Sequence, residues 1–247
     1  MREPALPVDP GLPGEPTLPD VGRTQAWLAR RGVAVWLPAR LLALRIGARG
    51  FATRGAPRYL IVVACLWWFG GVLFHAVELP GRAAVTALLV ALYLVLRLRR
   101  VQAADEVAER LAGTGRPPAP GVAAKQIGWW YLVSAAVTFA GGAFAPAVGA
   151  GAAALVLARA FRAPVIAEDE ASRQADEVLR AEDVHRFAPC AVYAFLAMPV
   201  FVVDWAVPGA LGWWALAYLV AVAGMQLTGW LLLRRRYRRL PPGYYGR

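Results

Sequence analysis

The feature that most constrains this chain is a set of six long apolar runs, at 59–77, 81–98, 127–144, 146–163, 187–205 and 209–233. Each is close to the roughly 17 to 25 residues that carry a helix across a bilayer core of about 30 Å. Composition agrees, since 59% of the residues are apolar and 17% charged, against about 45–50% and about 25% in an ordinary soluble domain. The expected fold is an all-α integral membrane protein, a six-transmembrane-helix bundle. A Pro-rich arm (1–22) and a basic interfacial helical segment (23–58) precede it, and a basic cytoplasmic tail (234–247) follows.

The third and fourth runs are the hardest to separate, because no charge lies between Lys125 and Arg159. One straight helix over 127–158 would be about 48 Å long, well beyond the hydrocarbon core. Two helices turning near Gly141, Gly142 and Pro146 fit better, with Arg159 and Arg162 snorkelling at the end of the second. The bases test this independently. With six spans, 26 of the 27 Lys and Arg residues fall on one side, Arg82 being the exception. The positive-inside rule makes that side the cytoplasm and puts both termini there. Merging the two runs would throw the Arg159–Arg186 connection and the tail outside.

The chain has no Asn, two Ser (Ser134 and Ser172), and only Lys125 among its bases that is not Arg. GC-rich codons produce such an alphabet, so a high-GC bacterium and its inner membrane are expected. The net charge of +11 then reads as topology rather than as a sign of a nucleic-acid partner. No apolar run precedes the first span, so no cleavable signal peptide is expected.

Pro4, Pro7, Pro10, Pro13, Pro16 and Pro19 recur at a spacing of three. In polyproline II they would line one edge of a stiff rod about 60 Å long, a docking ligand for an aromatic groove or a plain tether. From Arg23 to Trp36, Arg23, Arg30 and Arg31 oppose Leu28, Val33, Val35 and Trp36 on a helical wheel. That suits a helix lying on anionic headgroups and ended by Pro38, or one packed on the protein's own cytoplasmic face. Residues 40–58 mix Arg and Leu around the wheel and suggest a poorer second piece.

The connection at 164–186 is acidic, with Glu168, Asp169, Glu170, Asp176, Glu177, Glu182 and Asp183. It reads as a solvated helix or as a surface for a basic cytoplasmic partner. It shares a short pattern with the preceding cytoplasmic connection: Gln102-Ala-Ala-Asp105-Glu106-Val107 against Gln174-Ala-Asp176-Glu177-Val178. A repeat of hairpins is one reading, chance matching of Ala-rich helices the other.

Chemistry is sparse. Charges inside a membrane are costly and mark function, yet the span interiors hold almost none. His75, Glu78 and Asp204 form a polar set at the outer ends of spans one and five, a candidate substrate collar or a set of headgroup anchors. Three ligands from two helices make a poor metal site, so no metal or other cofactor is expected. Ser134 lacks the glycines of a nucleophile elbow. It reads, with Thr138, Gln226 and Thr228, as a helix-packing hydrogen bonder, and Cys65 and Cys190 read as buried thiols. No catalytic residue is assigned, and no phosphate-binding Gly loop is present. The leading expectation is a non-enzymatic membrane subunit or scaffold, with a homo-oligomer as a candidate assembly. The alternative is a permease for a neutral or amphiphilic solute, served by a separate ATPase subunit.

Overall fold

The computed structural model describes residues 15–53, 79–112, 115–140, 144–167, 169–195 and 210–247, and no strand occurs among them. Eight helices carry labels here: α1 (Leu18–Ala29), α2 (Arg40–Thr53), α3 (Leu79–Ala112), α4 (Pro120–Ile127), α5 (Trp129–Ala140), α6 (Phe144–Arg162), α7 (Glu170–Phe187) and α8 (Ala210–Arg236). A further helical stretch covers 190–195. The expected first span, the fifth beyond 195, and Pro4, Pro7, Pro10 and Pro13 lie outside the described residues.

Thr17 starts α1. Its backbone N–H and its hydroxyl both donate to Asp20 Oδ2, at 3.0 and 2.6 Å. Pro19 takes an early helical position where a missing N–H costs nothing. The expected polyproline arm therefore stops short of Pro19, because the Thr17–Asp20 cap favours helix from Leu18 onward. The helix also ends well before Pro38. Gly32, at φ +76, turns the chain in a conformation that glycine adopts without strain, and Val33 N–H donates back to Leu28 O at 3.1 Å.

α1, α2, α7 and the C-terminal residues form one apolar nucleus. Trp27 and Leu28 of α1 meet Leu42 and Ile46 of α2, Val178 and Leu179 of α7, and Leu240 and Tyr245 of the tail. Of the apolar stripe read from the wheel, Leu28 is buried in this nucleus and Val33 and Val35 pack against it, while Trp36 remains exposed. The tail folds back as well: Ala39 N–H donates to Tyr245 O and Arg247 N–H to Leu37 O, both at 2.8 Å. Gly246 sits at φ +133, and a Cβ there would lie 2.1 Å from Leu37 O, so only glycine permits this clasp.

The second nucleus lies among α3, α5, α6 and α8, with α3 against α6 and α5 against α8. Leu98, Tyr131, Ala135, Ala153, Val156 and Val222 fill it. Polar groups inside are satisfied locally. Ser134 Oγ donates to Val222 O at 3.2 Å, Thr138 Oγ1 to Ser134 O at 2.7 Å, and Tyr131 OH to Ala188 O at 2.7 Å. Gln226 Oε1 accepts from Ala191 N–H at 2.7 Å, just past Pro189, where the helical ladder begins.

The outer face of this bundle is apolar too. Val85, Leu88, Leu92 and Leu96 are exposed along one side of α3, and Trp213, Leu216, Val220, Leu227 and Leu231 along α8. Soluble monomers rarely show contiguous apolar patches of this extent. Among the described residues, one helical stretch is long and apolar enough to cross a membrane: Leu216–Arg236, of mean hydropathy 1.7. The third and fourth apolar runs form separate helices, α5 and α6, while the second falls inside α3. At 34 residues, α3 is about 51 Å long. Its last turns, beyond Arg97, Arg99 and Arg100, reach into the layer of α2 and α7.

Candidate functional site

Two arginines on α2 organise the space where these layers meet. Leu42 and Ile46 turn toward the apolar nucleus, while Arg45 and Arg49, one helical turn apart, share an adjoining face. Both are almost wholly buried, at 4% and 3% exposure. Arg45 Nε donates to Asp105 Oδ1 at 2.9 Å, Nη1 donates to Ile166 O at 3.3 Å, and Nη2 pairs with Asp176. Arg49 forks across two carboxylates. Its Nη1 and Nη2 donate to the two oxygens of Asp105 at 3.0 Å each, and its Nε and Nη2 reach Asp183 at 3.0 and 2.7 Å.

Asp105 belongs to the projecting end of α3, and Asp176 and Asp183 belong to α7, so three helices converge on one ionic node. Two more arginines complete it. Arg159 Nη2 reaches Asp105 Oδ2 at 3.3 Å. Arg180 Nη2 donates to Asp176 Oδ2 at 2.7 Å, and its Nη1 donates to Ala160 O and Ala163 O at 3.1 and 2.7 Å. That guanidinium closes the carbonyl end of α6, where helix dipoles favour a cation.

The electrostatics follow from this crowding. Burial alone would push the Asp105 carboxyl up, but Arg49 and Arg45 outweigh it and hold it well below the usual carboxylate range. Burial would likewise lower Arg45 and Arg49, yet their aspartate partners raise both above the ordinary guanidinium value. At Asp183 burial wins, and its carboxyl lies above its ordinary value despite Arg49. Around the node lies a cavity of about 390 Å³, lined also by Gln102, Glu106, Glu109 and Arg162. Its described walls are rich in Arg, Asp and Glu, which offer ion pairing and hydrogen bonding. No cluster of metal-ligating side chains occurs among the described residues.

No protein-family model matches the chain, and neither a curated protein nor a solved structure was found to match it. The reading of the site therefore rests on its own residues.

His75, Glu78 and Asp204, the outer polar set expected from sequence, lie outside the described residues. Of the proline series, Pro16 is partly buried and Pro19 is exposed on α1. The acidic connection is in large part inward-facing. Asp176 and Asp183 serve the node, and Glu182 Oε1 pairs with Arg31 Nη2 at 2.5 Å, so this chain's own arginines are their basic partners. His185, unassigned in sequence, is buried between Tyr131 and Trp230, with ring centroids 4.7 and 5.7 Å away. Burial holds its pKa down to about 4, and its Nδ1 meets no hydrogen-bond partner among the described residues.

Sequence reasoning missed the node. The available signals were the Arg45–Arg49 spacing and the shared Ala-Asp-Glu-Val pattern. Its two aspartates, Asp105 and Asp176, occupy equivalent places in that pattern and meet on the single guanidinium of Arg45.

Proposed function

We propose that this chain is a multi-pass protein of a bacterial inner membrane with six spans and both termini in the cytoplasm. In this reading it serves as a non-enzymatic scaffold subunit. The node carries the proposal: it ties α2, α3, α6 and α7 into a stiff cap on the end of the helix bundle. Removing one partner from a buried ion pair typically costs about 3–5 kcal/mol because the other charge is left uncompensated, so the node fixes which faces of these helices meet.

Three observations support the membrane part. The outer faces of α3 and α8 are apolar where a soluble protein would be polar. From Trp213 to Arg234, α8 covers about 31 Å, close to the hydrocarbon thickness, with an aromatic pair at one end and a cluster of arginines at the other. The bias of bases to one side agrees with the cap being cytoplasmic. The scaffold part is supported by the packed interior among the described parts of α3, α5, α6 and α8, which Leu98, Tyr131 and Val156 help to fill. The exposed start of α1, with the prolines before it, gives an arm for docking.

The test is purification of the tagged full chain from its own membranes in mild detergent. A protein partner in fixed stoichiometry is expected, lost when residues 1–17 are removed and retained in an Arg173→Gln control. A chain that purifies alone and, once reconstituted, carries a labelled amphiphile across vesicle membranes would overturn the scaffold reading in favour of transport.

A further inference from the structure

A second basin lies on the same side of the protein as the node, at the end of the membrane-length stretch of α8. Its volume is about 490 Å³, and six arginines line it: Arg30 and Arg31 after α1, Arg186 on α7, and Arg234, Arg235 and Arg238 at the end of α8. One carboxylate, Glu182, faces them. That carboxylate is already engaged, accepting from Arg31 Nη2 at 2.5 Å and from Trp27 Nε1 at 3.4 Å. The excess of positive charge is felt within the site. Burial, reinforced by Arg30 and Arg234, lowers Arg31's pKa despite the Glu182 contact, and Arg31 Nε is buried without a hydrogen-bond partner.

Such a basin suits a phosphate group, whose oxygens accept several guanidinium donors at once. The adjoining surface says which kind of phosphate. Arg186 and Trp230 also line a neighbouring groove of about 430 Å³, whose walls are largely apolar: Pro189, Val192, Ala223 and Leu227. His185, with its unpartnered Nδ1, lines the same groove. From Arg235 back to Ala223, α8 runs about 18 Å toward the membrane interior. The charged basin thus lies at the surface end and the apolar groove descends from it, the arrangement of a lipid with an anionic headgroup and an acyl chain.

We propose that the ends of α1, α7 and α8 form a binding site for an anionic phospholipid of the cytoplasmic leaflet. Its phosphate lies among Arg31, Arg186, Arg234 and Arg235, and an acyl chain lies in the groove between Val192 and Leu227. Arg234 is already held near the Trp230 ring, 5.2 Å from its centroid, which stations one headgroup ligand at the boundary between basin and groove. The proposal requires only that α8 lies in a bilayer and is independent of the scaffold role.

The test uses the full chain in neutral detergent with a short-chain fluorescent phosphatidylglycerol as probe, and with short-chain phosphatidylcholine and inorganic phosphate as competitors. Phosphatidylglycerol is expected to bind at least tenfold more tightly than phosphatidylcholine, with affinity falling as salt rises. Millimolar inorganic phosphate is expected to displace it weakly. Arg186→Gln with Arg235→Gln should lose tenfold or more in affinity and flatten the salt dependence. Ala223→Phe, which fills the groove, should weaken lipid binding while keeping the salt dependence. Arg116→Gln with Arg173→Gln, the same charge change elsewhere on the cytoplasmic side, should leave binding unchanged. Helicity and elution volume like the wild type's qualify each variant. Equal binding of the two lipids, displacement by phosphate as effective as by lipid, or equal losses in the control pair would overturn the proposal. Partner co-purification reads the scaffold role separately, so the two can fail independently.

Discussion

The bundle and the cap are built from opposite rules, although both are helical and α3 runs through them. In the bundle, apolar side chains lie inside and outside alike: Leu98 and Val156 in the nucleus, Leu88, Leu92 and Val220 on the surface. In the cap the apolar nucleus is sealed beneath α1 and the tail, and the charges are the unexpected interior residues. The difference teaches what each region uses for specificity. Under the proposed membrane placement, apolar burial distinguishes poorly between one packing and another, and close approach of small residues such as Ala135 and Ala153 sets the fit. In the cap, paired charges set it, because only one register of α2 against α3 and α7 brings Arg45 and Arg49 onto three aspartates.

The comparison breaks most readily at Asp105. Asp105→Ala leaves Arg45, Arg49 and Arg159 without their shared acceptor, and a loss of about 3–5 kcal/mol is expected. Hydrogen exchange should locate the loosening in α2, α7 and the end of α3 while Val85–Leu96 stays protected. Leu92→Ala on the exposed apolar side of α3 should move stability far less. Equal losses from both variants would erase the distinction between the regions.

Acid should reach His185 before it reaches Asp105. His185 keeps a pKa of about 4 in the folded chain, against about 6.5 for a free imidazole. Between those values the unfolded chain binds a proton that the folded one refuses, so stability falls as pH drops from about 6.5 to 4. The loss is on the order of 3 kcal/mol. Asp105, with its depressed pKa, contributes stability that is present above about 4 and lost only as pH falls further. Melting temperature in detergent should therefore decline from pH 7 to pH 4.5, and His185→Phe should flatten that decline. A wild-type profile flat over that window would contradict the neutral, buried imidazole.

A smaller and more local effect is expected at Gly246. Gly246→Ala places a methyl group against Leu37 O and should release the clasp, speeding protease cleavage after Arg238 and Arg239 by several-fold. The bundle helices and the node should be unaffected, which sharpens the boundary of the cap.

The all-helical character was legible in sequence because long apolar runs favour helices; of the expected spans, one described stretch, Leu216–Arg236, is long and apolar enough to cross a membrane, whereas α5, at 12 residues, is too short. The division between α5 and α6 followed from an overlong apolar run, and the packing roles of Ser134, Thr138 and Gln226 followed from the scarcity of partners inside a bilayer. The cap was legible only in part. A helical wheel separates polar from apolar faces, and on that measure Arg45 and Arg49 looked like noise among leucines. Their meaning depends on α3 and α7, distant in sequence, both bringing aspartates to α2. The repeated Ala-Asp-Glu-Val was visible, but nothing local in it says that Asp105 and Asp176 meet on one side chain. For α1 the sequence left two surfaces open, lipid headgroups or the protein's own cytoplasmic face: an amphipathic stripe shows that a helix buries one face, while the burying surface, here α2, α7 and the returning tail, has to come from the fold.

The central claim, that a cytoplasmic cap closes the inner face of a multi-pass bundle, is tested most directly by cysteine labelling in intact cells. With Cys65 and Cys190 replaced by Ala, a cysteine at Pro80 is expected to react with a membrane-impermeant maleimide, and one at Ala119 to react only after the membrane is opened. Labelling of position 119 from outside, or no difference between the two positions, would contradict the account.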